Sequence, residues 1–195
     1  MPPEFNIVVC CSGGGGNFKA ILESPLLCDV KVKSLIIDRE CGAVDVAQQF
    51  SVPVKMLNFS KSNSKIFEDF LDVVSNEIDL IVLAGFLPII PSRICVQWKR
   101  KIINTHPSLL PKYGGIGMIG VRVQEAVQHA GEEYAGCSVH YVDEGVDSGE
   151  VIAQRRVKVI EGESAWDLGG RVFKEENLLL PQVIYELSKA KRESP

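Results

Sequence analysis

Asn104 and His106 stand two residues apart in the stretch Ile102-Ile103-Asn104-Thr105-His106-Pro107-Ser108-Leu109-Leu110-Pro111-Lys112-Tyr113. One supplies an amide donor and the other an imidazole that can act as acid or base. Ile102 and Ile103 read as the end of a buried strand, and on an extended backbone residues i and i+2 project to the same face. The two polar side chains therefore point together off a strand end, where open α/β sheets place their ligands. Pro107 biases His106 away from helical backbone and Pro111 fixes a second angle, so the loop is predicted to be stiff, as a preorganised site requires. A plainer alternative uses the same residues: both side chains satisfy backbone groups in a proline turn.

Asp147 adds a carboxylate that can orient and charge the imidazole, making a three-residue unit with Asn104 and His106. It lies in an acidic, glycine-marked loop, Asp143-Glu144-Gly145-Val146-Asp147-Ser148-Gly149-Glu150. Hydrolysis through a nucleophile would need a serine or cysteine at the same place, and the candidates, Ser108 and Ser148, have no elbow motif around them. Transfer to an external amine fits better. Near the start of the chain, Gly13 to Gly16 would let backbone N–H groups approach an anion closely, with the N-terminus of the next helix adding partial positive charge. A phosphate is the natural guest. The loop lacks the ending of a Walker A motif, and Phe18 occupies the third glycine's place of a G-x-G-x-x-G fingerprint. Asp38 stands where a ribose-binding acid of an NAD site would, so that reading stays open beside a plain tight turn.

The elements that must position these groups alternate. Phe5 to Cys10 reads as a strand, Asn17 to Leu22 as a helix, Val32 to Ile37 as a strand, Ala43 to Phe50 as a helix and Val54 to Leu57 as a strand. After the polar loop Ser60 to Ser64, Phe67, Phe70, Leu71 and Val74 recur at helical spacing. Leu80 to Leu83 is a continuous apolar strand of the kind covered on both faces in a parallel sheet, and Pro91 to Trp98 a short helix. The glycine loop Gly114 to Gly120 could flex over a ligand, and Val123, Ala126, Val127 and Ala130 form one face of the next helix. Gly136 to Val142 and Val151 to Ile160 pair as strands. Ser164 to Asp167 has the spacing of a capping box for the last helix, which Pro181 should kink or break. Glu176 falls on that helix's apolar stripe; a carboxylate facing inward must be paired or used, which favours it over Glu175 as a ligand-binding residue. His129 and His140 have no motif and read as structural or solvated.

The 195 residues, nearly half apolar, suit one sizeable core, so a single domain over residues 1–195 is expected, with a Rossmann-like, doubly wound, mostly parallel sheet and an antiparallel C-terminal portion. A net charge of -4 without a basic stripe argues against nucleic acid as the main partner. The longest apolar stretch, Leu80 to Ile90, is too short to span a bilayer and the chain opens without a signal core, so a cytoplasmic protein with no membrane partner is expected. The six cysteines show no metal-ligand or redox spacing and read as reduced, mostly buried thiols.

Asn-x-His-Pro-Ser-Leu-Leu-Pro-Lys-Tyr at 104–113, Leu-Ala-Gly-Phe at 83–86 and Val-Asp-Ser-Gly at 146–149 together resemble the phosphoribosylglycinamide formyltransferases of the folate-dependent formyltransferase family. The resemblance covers nearly the whole chain. It implies formyl transfer from 10-formyltetrahydrofolate, as co-substrate, to the amine of glycinamide ribonucleotide, with no metal, by a monomer or weak homodimer. It implies that Asn104 and protonated His106 stabilise the developing oxyanion, with Asp147 holding His106 and helping to route the proton through water. It places Gly15, Gly16 and Asn17 at the nucleotide phosphate, and Phe173, Lys174, Glu175 and above all Glu176 at the glycinamide-ribose end. The folate pocket would take Leu87, Pro88, Ile89 and Ile90, Asp143, Glu144, Gly145, Val146 and Asp147, together with Asn104, and Lys65 stands where an arginine is frequent. The chain departs from the family pattern at Gly14 and Gly16, where larger polar residues are usual, at Pro88, where an arginine is common, and over Gly117 to Gln124, which has no histidine. A formyltransferase for another amine, such as an amino sugar nucleotide, and a non-catalytic nucleotide-binding module are the alternatives.

Overall fold

The computed structural model describes residues 4–57, 65, 69, 70, 74 and 77–193. Seven strands form one sheet in the order β3-β2-β1-β4-β5-β6-β7. They are β1 (Phe5–Cys11), β2 (Val30–Ile37), β3 (Val54–Met56), β4 (Leu80–Leu83), β5 (Ile102–His106), β6 (Tyr134–Tyr141) and β7 (Val151–Lys158). The helices are α1 (Gly16–Glu23), α2 (Ala43–Gln49), α3 (Ser92–Gln97), α4 (Val121–His129) and α5 (Ala165–Glu193), with a short 3-10 turn at Pro25–Leu27. The first five strands run parallel, while β6 is antiparallel to both β5 and β7. The expected doubly wound sheet with an antiparallel C-terminal portion is therefore what forms.

Strand parity divides the core in two. Ile7, Val9 and Cys11 of β1 join Leu35, Ile37, Leu80, Val82 and Ile103 under α1, α2 and α5, while Val8, Cys10, Ile36, Ile81, Leu83 and Ile102 join Ile94 and Trp98 on the other face. All four residues of β4 are buried, which explains why its sequence is a continuous apolar run and not an alternating one. Fully burying a branched aliphatic side chain contributes roughly 1.5 to 3 kcal/mol, so this two-sided arrangement makes β1, β4 and β5 the rigid centre. Strand order reverses between β1 and β4, and the carboxyl ends of β1, β4 and β5 meet there.

Two expectations change. Helix α5 runs for 29 residues through Pro181 without a break. Proline removes one backbone hydrogen bond, but Leu179, Leu180, Pro181 and Val183 are all buried and their packing outweighs that loss. On α4, Ala130 is exposed beyond the helix end and Gln124 is buried instead. The serine half of the capping box forms: the Asp167 N–H donates to Ser164 Oγ at 3.1 Å, and the Asp167 carboxylate takes the Ser164 hydroxyl at 2.6 Å. Of the helix expected around residues 67–74, Phe67 and Leu71 lie outside the described residues, as does the loop 60–64; Phe70 and Val74 are buried in the second core.

Candidate active site

The end of β5 presents its side chains to both faces of the sheet. Asn104 and His106 continue the parity of Ile102, and Thr105 continues that of Ile103, towards α5. On the first face His106 Nε2 lies 2.8 Å from the Tyr113 carbonyl oxygen, so it donates there, and Nδ1 lies 3.4 Å from Asp147 Oδ2. Both ring nitrogens thus face acceptors, an arrangement that an imidazolium satisfies and a neutral ring does not. Asp147 also accepts from the Gly115 N–H at 3.0 Å and, through Oδ1, from Asn104 Nδ2 at 3.4 Å. Burial alone would raise the Asp147 carboxyl, but the Gly115 N–H and the charge of His106 help to outweigh it, and the group is held below its ordinary value of 3.8. Asp147 and Tyr113 adopt left-handed backbone, with φ of 54° and 57°. The two residues that hold His106 therefore both sit in a conformation that is uncommon outside glycine, as is frequent where a site over-determines its backbone.

The predicted stiffness of the 107–113 loop has a physical basis beyond its prolines. Gln124 Nε2 donates to the Pro107 carbonyl at 2.8 Å, the Ser138 hydroxyl to the Ser108 carbonyl at 2.6 Å, Gln154 Nε2 to the Leu110 carbonyl at 2.9 Å, and the Ser108 hydroxyl to the Lys112 carbonyl at 2.7 Å. A loop whose carbonyls are this fully engaged has little freedom left. The Leu110–Pro111 peptide is cis.

On the other face the Thr105 hydroxyl donates to Glu176 Oε1 at 2.8 Å. Glu176 is only 6% exposed, and burial pushes its carboxyl up to about 7 against the lowering effect of that hydroxyl. Asn17, at the start of α1, is also buried, and its Oδ1 has no hydrogen-bond partner among the described residues. Gly15 takes φ of 76°, where an added Cβ would lie 2.7 Å from Ala43 Cα, and any Cβ at Gly16 would lie 2.4 Å from the Phe173 ring. The glycine at position 16 is thus matched to an aromatic ring that fills the space of a larger side chain.

A cavity of about 510 Å³ joins the two halves. Its walls include Leu87, Pro88, Ile89 and Ile90, the loop Gly115–Gly120, the catalytic candidates Asn104, His106 and Asp147, and Asp143, Gly145 and Val146. At the other end stand Asn17, Phe173 and Glu176. Gly15, Gly16, Lys65, Glu144, Lys174 and Glu175 do not line it; Glu175 instead pairs with Arg155 at 3.1 Å. Lys65 pairs with Asp69 at 2.9 Å, and Asp38 with Arg39 at 2.6 Å. Sequence reasoning passed over Ser12, whose hydroxyl accepts from the Leu87 N–H at 2.9 Å and ties the glycine loop to the cavity wall. His140, read from the sequence as structural or solvated, is buried and lies 3.1 Å from Asn104 Nδ2.

Residues 5–184 match the family model described as formyl transferase. The chain is similar to a chloroplastic phosphoribosylglycinamide formyltransferase of Vigna unguiculata, 37% identical over 189 residues that cover 93% of this chain and 60% of that protein. A chloroplastic protein of the same description from Arabidopsis thaliana is 32% identical over 192 residues, covering 94% of this chain and 65% of the relative. The chain therefore spans 60 to 65% of the length of these curated relatives. Among solved structures, glycinamide ribonucleotide transformylase 1 from Geobacillus kaustophilus aligns with a TM-score of 0.84 at 32% identity, covering 94% of this chain and 98% of that one.

Proposed function

The chain belongs to the formyl transferase family, and from that premise we propose that it transfers the formyl group of 10-formyltetrahydrofolate to the amine of N1-(5-phosphoribosyl)glycinamide, a step of de novo purine biosynthesis. The observation that carries this reading is the meeting of Asn104, His106 and Asp147 at one strand end, within 3.4 Å of one another through Asp147, at the centre of a cavity with two chemically different ends. The apolar end, walled by Leu87 to Ile90 and Val146, suits a pteridine and its linker. The end near the glycine loop, with buried Asn17, Thr105 and Glu176, suits a phosphoribosyl group.

In the reaction the neutral amine attacks the formyl carbon. Charge develops on the formyl oxygen, where the His106 imidazolium and an Asn104 N–H oppose it. The Asn104 N–H aimed at Asp147, 3.4 Å away, is the loosest of the local hydrogen bonds and is the one free to turn to that oxygen. Asp147 keeps His106 charged and helps pass the amine's proton, through water, to N10 of the folate as the carbon–N10 bond breaks. Residues 1–195 act as one domain, a monomer or weak homodimer. No helix among the described residues is long and apolar enough to cross a membrane; a cytoplasmic location is part of the same proposal.

Purified protein mixed with 10-formyltetrahydrofolate and glycinamide ribonucleotide is expected to release tetrahydrofolate. Turnover only with another amine would reject the acceptor, and no turnover with any amine would reject the enzyme. A second expectation concerns the phosphate end. Replacing Gly15 with valine puts a β-branched side chain at φ of 76° and a Cβ 2.7 Å from Ala43 Cα, so the loop must shift. The apparent KM for the nucleotide should rise at least tenfold while that for the folate stays within about twofold. An equal rise for both ligands would mean that the loop serves folding and not phosphate binding.

A further inference from the structure

We propose that His140 is a positioning residue that fixes which end of the Asn104 carboxamide faces the reaction centre. Its kinetic test rests on the formyl-transfer reading; its spectroscopic test does not. His140 is 2% exposed and stands directly across the β5/β6 ladder from Asn104, so the two side chains leave the sheet on the same face. Its Nδ1 lies 2.8 Å from the Tyr141 carbonyl oxygen. A carbonyl only accepts, so Nδ1 carries the proton. In the neutral ring Nε2 then offers a lone pair, and the atom 3.1 Å from it is Asn104 Nδ2, which only donates. Both contacts select the same tautomer. A proton on Nε2 directed at Asp147 Oδ1 would have to cross 3.6 Å, too far for a hydrogen bond, and would set N–H against N–H at Asn104.

The consequence lies in the planar amide. With one hydrogen committed to His140, the second is directed to the Asp147 side, where it reaches Oδ1 at 3.4 Å. That is the hydrogen the formyl oxygen takes over. Reversed, the amide would aim its own carbonyl oxygen at the developing oxyanion and replace attraction with repulsion. The pairing of β6 with β7 is irregular between Val139 and His140, a bulge of the kind that re-aims a side chain beside a site.

Two measurements test this. Imidazole ¹⁵N shifts of the ligand-free wild-type protein at neutral pH should show His140 protonated at Nδ1 and bare at Nε2. A proton on Nε2 overturns the proposal, and this readout holds even for a protein that formylates nothing. Kinetically, His140→Leu removes the acceptor and should lower kcat on the order of 10- to 100-fold with both KM values little changed. In an Asn104→Ala background the same substitution should cost nothing further. A purely structural role would give the same loss in both backgrounds and overturns the assignment. Should the leucine variant not fold, His140→Gln, which offers either an acceptor or a donor to Asn104, takes its place in the same cycle: a loss present only with Asn104 intact supports the assignment, and an equal loss in both backgrounds overturns it.

Discussion

Asp147→Asn is expected to fold, bind both ligands and lose on the order of 10² to 10⁴ in kcat, the range set by losing a charged partner of a general acid and a supporting oxyanion donor. Folding should survive because asparagine, like aspartate, tolerates the left-handed backbone that Asp147 adopts at φ of 54°, and because an amide oxygen can still accept the Gly115 N–H now 3.0 Å away. What disappears is charge. The carboxyl of Asp147 is held below 3.8, so it is ionised throughout the working range and its charge is always present beside His106. A neutral amide gives the His106 side of the oxyanion site less electrostatic support, so the loss should fall on kcat and leave both KM values nearly unchanged. The stability sign is separate: a lowered acid contributes stability above about 3.8 that is lost as pH falls through its folded value, so the variant should show less acid sensitivity than the wild type. A well-folded Asp147→Asn protein with an unchanged kcat would remove Asp147 from the mechanism and leave it as a loop tie.

The other large effect belongs to stability. Glu176 is raised from 4.5 to about 7 by burial, which corresponds to roughly 3 kcal/mol between its protonated and ionised forms. An acid raised in the folded state binds more protons there than in the unfolded chain between those two values, so stability falls as pH climbs from 4.5 to about 7 and is flat above. Glu176→Gln keeps the acceptor for the Thr105 hydroxyl, 2.8 Å away, and cannot ionise. At pH 8 the variant should melt on the order of 5 to 10 °C above the wild type, and the two should converge towards pH 4.5. Melting curves that stay parallel across this range would show that the ionised carboxylate has found compensation in the folded state. The same substitution should weaken the nucleotide, because a charged acceptor for ribosyl hydroxyls is lost; an unchanged nucleotide KM would take Glu176 out of the binding site.

The readable parts of this molecule are those fixed by local rules. Parity along Ile102 to His106 put Asn104 and His106 on one face, and helical periodicity placed Glu176 inward, because both depend only on spacing within one element. Asp147 was reachable through its motif. His140 was not, because its role depends on β6 lying antiparallel against β5, a pairing between segments separated by a glycine loop and a helix; a histidine in an alternating strand carries no mark of what stands opposite. Gln124 falls outside the apolar stripe of α4, and its buried amide is met by the Pro107 carbonyl from a distant loop. Pro181 misled for a related reason: its local rule is sound, but the apolar residues around it are held by the sheet beneath. Long-range pairing and tertiary packing decided each of these positions.

The division of β5 between two sheet faces limits how the chain can change in length. Asn104 and His106 serve one face and Thr105 the other, over a strand of five residues pinned on both sides by β4 and β6. A single insertion or deletion between Ile102 and His106 would exchange the two faces, sending the imidazole towards Glu176 and the threonine hydroxyl towards Asp147. Changes in length are therefore expected to be tolerated at exposed connections such as Glu161–Gly162, while this strand should admit change only by substitution. A circular permutation or domain insertion should be tolerated at the former and abolish the site at the latter.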